Sequence, residues 1–277
     1  MSEAHEARRE LGVLVGGDEN DIDLPRAALL VASEEYPDLD PAPYLARLDA
    51  LAVVLRERLA GERTPDRQVA VLNALLFGEE GFRGNTAHYY DPRNSYLNDV
   101  LDRRLGIPIT LALIYVAIGR RAGLPLCGVG MPAHFVVAYE APNRLLIDAF
   151  NCGRVLSLAD CQEMLRQAYG ASATLEPAHL EATSPRLILA RLITNLKVAY
   201  QRSGDLVRAL RASEQLSLVL PTAAELRDRG LLRYRLADLS GAAADLGQYL
   251  EFEPAAPDAE AIRRQLGLIQ QLYERRN

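Results

Sequence analysis

His134 and Asp148 are the two side chains whose types and spacing could do chemistry together. They fall on two short segments rich in β-branched and aromatic residues, Ala133 to Tyr139 and Arg144 to Ile147, with Ala141-Pro142-Asn143 as a turn between them. Runs of that composition bounded by turn residues read as strands. A hairpin closing on that turn sets His134 opposite Phe150 and Asp148 opposite Val136. The two residues then share strand parity, so both side chains leave the same face as diagonal neighbours, roughly 5 to 8 Å apart at the backbone. A carboxylate placed there can hold one imidazole nitrogen and leave the other free as a base. Phe135, Val137, Tyr139, Leu145 and Ile147 on the opposite face read as core. A purely structural His–Asp contact would use the same geometry.

A base of this kind needs a nucleophile facing it. The natural seat is a helix start, because helix N-termini stabilise anions and depress a thiol pKa. The helix that opens at Pro108 begins Gly106-Ile107-Pro108-Ile109-Thr110 and has no cysteine there. Thr110 brings a hydroxyl to about the right place, and a histidine base can activate a hydroxyl. A threonine in a first helical turn also serves as a local hydrogen-bonder. Of the three cysteines, Cys127 reads as core packing. Cys152 lies four residues beyond Asp148, in a loop without a helix terminus to activate it. The odd cysteine count, without CxxC spacing, argues against a disulfide framework and a zinc site. His5, His88, His134 and His179 are scattered, so neither a metal nor a cofactor is expected. Asn94, Ser95 and Asn98 could face the same cleft, although helix capping explains them equally.

The elements that must position these groups follow from periodicity. Residues 1–20 are charged and glycine-bearing and read as a mobile N-terminal tail. Helical spacing begins at Leu24 and continues over Ala42–Ala60, then from Thr64-Pro65 through Leu76-Phe77. A helix from Asn94 or Ser95 to about Gly106 precedes the segment Pro108–Arg121, which is apolar nearly all round and therefore belongs inside a core. The strands follow, and then a helix opened by Ser157-Leu-Ala-Asp with capping-box chemistry. Residues 21–182 thus read as an α+β domain.

From about residue 183 to 277 only helical patterns remain. Leu187–Arg202 pairs with Leu206–Leu220 and Ala223–Leu236 with Ala242–Phe252; Ala259–Arg275 closes the chain. Pro221 and Pro254 end successive pairs thirty-three positions apart, near the tetratricopeptide period. Tyr200, Gly204, Ala209 and Pro221, then Gly230, Ala242 and Pro254, supply the packing, turn and breaker residues such repeats need.

Composition narrows the classes of function. The chain has 277 residues, 49% hydrophobic and 25% charged, with a net charge of −6 and no basic stripe. A nucleic-acid role is disfavoured. The start MSEAHEARRE lacks a signal-peptide apolar core and no run is long enough to cross a bilayer, so a cytoplasmic protein with no membrane role is expected.

Several blocks agree in order with one bacterial family. Tyr89-Tyr90-Asp91-Pro92-Arg93-Asn94-Ser95-Tyr96-Leu97, Gly106-Ile-Pro-Ile, Gly123-Leu-Pro, Gly128-Val-Gly130-Met-Pro-Ala-His134-Phe135 and Asp148-Ala-Phe-Asn resemble the SirB-type proteins. Those proteins join a transglutaminase-like core, similar to the papain-type fold, to tetratricopeptide-like repeats. The resemblance implies that His134 and Asp148 match the last two members of a Cys-His-Asp triad. It also implies that the thiol slot falls within Pro108 to Thr110, where this chain departs from active members. Two functions remain. One is a non-catalytic module binding a protein or peptide partner through its cleft and repeats. The other is an acyl-transfer enzyme acting on an amide, with Thr110 as nucleophile, His134 as base and Asp148 as orienter. The missing thiol favours the first.

Overall fold

A computed structural model describes residues 3–276 and divides the chain into two units, one up to Leu192 and one from Ile193 onward. The division falls inside a single helix, Pro185–Ser203.

The first unit begins with α1 (Glu3–Gly16), α2 (Leu24–Ala32), α3 (Pro41–Arg58) and α4 (Pro65–Asn73), which runs on into a π-helical turn, Ala74–Glu79. Proline sits in the first turn of α2, α3 and α4, where its missing N–H costs nothing. Asp23 and Asp40 cap α2 and α3 by accepting from the backbone N–H of Arg26 and Ala42. Over residues 3–16 the structure corrects the expectation of a mobile tail. Ala7, Leu11 and Val15 recur every four residues and are buried, and Arg8 and Arg26 pair with Glu34 and Glu10 to fasten α1 and α2. The glycines and charges of this segment mask that apolar stripe. Residues 1 and 2 lie outside the described residues.

Next come β1 (Arg83–Gly84), α5 (Leu97–Arg103), β2 (Leu105–Gly106) and α6 (Pro108–Arg121), with β1 and β2 forming a short parallel pair. Every residue of α6 from Pro108 to Gly119 except Val116 is buried, as its all-round apolar sequence requires. Each fully buried Leu or Ile there contributes about 1.5–3 kcal/mol of hydrophobic stabilisation. The strand Leu126–Val129 (β3) packs so tightly on α6 that a Cβ at Gly119 would lie 2.2 Å from the Leu126 side chain.

Three more strands, β4 (Val136–Tyr139), β5 (Leu145–Asp148) and β6 (Arg154–Leu156), complete an antiparallel sheet in the order β3-β4-β5-β6. Val137 faces Ile147 and Tyr139 faces Leu145, the register of a hairpin centred on Pro142. Val136, Ala138, Leu146 and Leu156 form one buried cluster with Cys127, Val129, Met131 and Cys161, the last from α7 (Leu158–Tyr169). β6 carries no sequence signal of its own: Val155 is exposed and only Leu156 is buried.

The second unit holds the end of α8 (Pro185–Ser203), then α9 (Leu206–Val219), α10 (Ala223–Arg235), α11 (Leu239–Phe252) and α12 (Ala259–Arg276). Asp205 and Asp238 cap α9 and α11 at the same phase of the repeat, accepting from the N–H of Arg208 and Gly241. A Cβ at Gly230 would meet Leu246 at 2.8 Å, so glycine is what lets α10 and α11 approach. The Lys197 ammonium is buried at 2.6 Å from Glu225, whose other oxygen accepts from Ser213. Among the described residues no helix is long and apolar enough to cross a membrane.

Candidate functional site

His134 stands two residues ahead of β4, in a tight turn that the backbone of Ala133 makes at φ 64°. Left-handed backbone at a non-glycine residue costs on the order of 1 kcal/mol and persists where neighbours enforce it. Arg191 is one such neighbour, because its guanidinium donates to the carbonyls of both Met131 (3.0 Å) and His134 (2.9 Å). The same guanidinium lies over the Phe135 ring at 5.5 Å.

Asp148, the last residue of β5, is wholly buried. Its Oδ2 lies 3.0 Å from His134 Nε2. That approach is an ion-pair distance without the alignment of a hydrogen bond, and Nε2 has no other partner. The carboxylate also accepts from the N–H of Phe150 (3.0 Å) and Asn151 (3.3 Å) and from Asn151 Nδ2 (2.7 Å). Burial pushes the carboxyl pKa up, but the contacts from His134 and Asn151 outweigh it and hold the group below the usual carboxylate range.

The loop after Asp148 is pinned from behind by the core. Tyr115 of α6 donates to Asn73 Oδ1 (3.0 Å), and Asn73 Nδ2 donates to the Gly153 carbonyl (2.8 Å). Gly153 has φ 76°, and a Cβ there would fall 2.0 Å from the Asn73 amide, so glycine is required twice over. Phe150 stacks edge-on against His134, with ring centroids 6.4 Å apart, and against Tyr89 at 6.1 Å. Tyr89 in turn meets Tyr90 at 5.2 Å, and both tyrosines are exposed. A row of four rings thus runs from the surface to His134.

Thr110 sits in the first turn of α6 with no exposure. Its Oγ1 accepts from the Ile107 N–H (3.1 Å) and donates toward the carbonyls of Asn94 (2.8 Å) and Ile107 (3.1 Å). A hydroxyl held this way splints the helix start to the preceding loop. Asn94, also fully buried, donates to the carbonyls of His88 and Tyr89 and accepts from Asn85. Ser95 and Asn98 are buried as well, and Asn98 Oδ1 has no partner. Asn94, tied to Thr110 through its own carbonyl, therefore fixes the loop that carries Tyr89 and Tyr90.

Cys127 is buried and donates to Glu140, and burial, reinforced by that carboxylate, pushes its pKa up to about 11. Burial likewise raises Cys161, whereas Cys152 is exposed in a left-handed turn, φ 55°. Among the described residues no cluster of His, Cys, Asp or Glu could hold a metal ion. Sequence reasoning singled out His134, Asp148 and Thr110; the structure brings the first two together. It missed Arg191, which lies on α8 far along the chain and is marked by no motif.

Two families match this architecture. The transglutaminase-like superfamily matches residues 42–194, and the tetratricopeptide repeat matches residues 196–267. A UPF0162 protein of Xylella fastidiosa is 37% identical over 254 residues, covering 90% of each chain. A UPF0162 protein of Pseudomonas aeruginosa is 34% identical over 216 residues, covering 76% of this chain and 77% of that one. Among solved structures, a crystal structure of menin aligns at 12% identity with a TM-score of 0.49, over 97% of this chain and 70% of that chain, a likeness too slight to inform fold or function.

Proposed function

This chain belongs to the transglutaminase-like superfamily, and we propose that within it the chain is a binding module, not a catalyst, which takes up a protein or peptide partner through its cleft and its helical repeats. Its ordered motif blocks support placing it on the SirB-type branch of that superfamily. Tetratricopeptide repeats in general mediate protein–protein interaction, and stacked helix pairs offer the concave surfaces for it.

The observation that carries the reading is the state of the helix start at α6. Pro108 opens that helix, and the hydroxyl of Thr110 is buried and engaged with three backbone groups. A nucleophile must be exposed to its substrate and within reach of a base. The first condition fails at Thr110, which supports reading the His134–Asp148 pair as a structural contact.

One observation favours the alternative, an acyl-transfer enzyme: the imidazole and carboxylate remain 3.0 Å apart, as an orienting pair would be. A single assay separates the two. The full chain is incubated with a blocked glutaminyl-glycine peptide and hydroxylamine, and hydroxamate is measured. The binding reading expects no product above the protein-free blank. Product that disappears in both His134→Ala and Thr110→Val would make the chain an enzyme.

A further inference from the structure

Arg191 has more charge and more donors than the fold uses. Two of its five N–H groups serve the carbonyls of Met131 and His134. Among the described residues no carboxylate lies within ion-pair distance of it, although the chain as a whole carries a net charge of −6. The titratable groups within electrostatic range of it are the phenols of Tyr89 and Tyr169, neither of them a carboxylate. Taking an arginine partly out of water without a counter-charge is costly, and burial accordingly lowers its pKa. Other half-buried arginines of this protein are paired: Arg229 and Arg233 with Asp245, Arg104 with Glu80.

The surroundings point to what would complete it. The exposed Tyr89 is within electrostatic range of Arg191 and stacks on Phe150, which stacks on His134. Phe150 thus packs on the ring of His134, whose carbonyl Arg191 holds, and the guanidinium, resting over Phe135, has no carboxylate partner among the described residues. A guanidinium fork matches a carboxylate in geometry and charge, and aromatic rings suit the apolar side chain of a neighbouring peptide residue.

We propose that Arg191, joined through the His134 turn to the Phe150 and Tyr89 rings, is the subsite that receives a carboxylate of the bound peptide, with an apolar side chain of the same peptide lying on those rings. This deepens the binding reading and rests on it. The partner is therefore a peptide segment that carries a carboxylate next to an apolar or aromatic residue.

The test follows the Arg191 Nε–Hε signal of the full chain by NMR during titration with N-acetyl-phenylalanine and, separately, with N-acetyl-phenylalanine amide. The acid is expected to shift that signal saturably and to bind about ten-fold more tightly than the amide, a difference of about 1.4 kcal/mol. In Arg191→Gln the preference for the acid should vanish, whereas Tyr89→Ala should weaken acid and amide alike. Equal affinity for acid and amide in the wild type, or no saturable shift with either, overturns the proposal without any substitution. So does an acid preference that survives Arg191→Gln. A third arm with inorganic phosphate guards the assignment: tighter binding of phosphate than of the acid would make this a phosphate site and sink the peptide carboxylate. Hydroxamate formation in the assay above would instead remove the binding reading while leaving the acid–amide comparison readable.

Discussion

His134 and Asp148 meet at 3.0 Å although neither is paired with a residue across the β4–β5 ladder. His134 precedes β4 in a turn held by Arg191, and Asp148 ends β5 where the chain leaves for the loop pinned by Asn73. The contact is therefore made by the turn before β4 and the last residue of β5, which the hairpin register brings side by side.

Asp148 should stabilise the fold in a pH-dependent way. Its folded pKa is lowered, so its contribution is complete above the ordinary carboxylate range and is lost as pH falls through the lowered value. Asp148→Asn is expected to cost about 1–3 kcal/mol at pH 7, since the N–H groups of Phe150 and Asn151 lose a charged acceptor that is itself buried. The gap between wild type and variant should narrow below about pH 4. Urea unfolding at the two pH values measures it; a gap that is constant with pH would contradict the assignment.

Thiol reactivity should divide sharply. Burial raises both Cys127 and Cys161, so iodoacetamide at neutral pH should modify them roughly 100-fold more slowly than an unhindered thiol. Cys152, which is exposed, should be the site labelled first. Peptide mapping after timed quenching reads the order. Early labelling of Cys127 or Cys161 in the folded chain would show that their surroundings are misjudged.

Two glycines of the repeat unit should respond in opposite directions. A Cβ at Gly230 meets Leu246 at 2.8 Å, so Gly230→Ala should force α10 and α11 apart and lower stability by about 1–3 kcal/mol. Gly247 lies inside α11 with nothing within 4 Å of an added Cβ, so Gly247→Ala should raise stability by about 0.5–1 kcal/mol. Thermal melting of the two variants checks both signs, and like-signed shifts would refute the packing argument.

The hairpin was legible in the sequence because strand parity and a short turn leave one register. Ala141-Pro142-Asn143 fixes which residues face each other, and the observed pairing of Val137 with Ile147 follows that register. The burial of α6 was legible for a similar reason, since a helix apolar on every side has no face to offer water. Helix α1 was not, because two glycines and many charges hide its sparse stripe of Ala7, Leu11 and Val15.

The sequence by itself determined which residue types stand near the dyad and that no thiol opens α6. Only the tertiary structure decided how the polar groups are used. Whether the Thr110 hydroxyl faces a substrate or a backbone carbonyl depends on where the loop of Asn94 passes. Arg191 stands close to His134 because α8 returns to the turn before β4, fifty-seven residues along the chain. Lys197 is buried because Glu225 waits for it on α10. Periodicity reports only which face of an element avoids water, whereas a hydrogen bond or ion pair depends on distance and angle between elements remote in sequence, which packing alone sets.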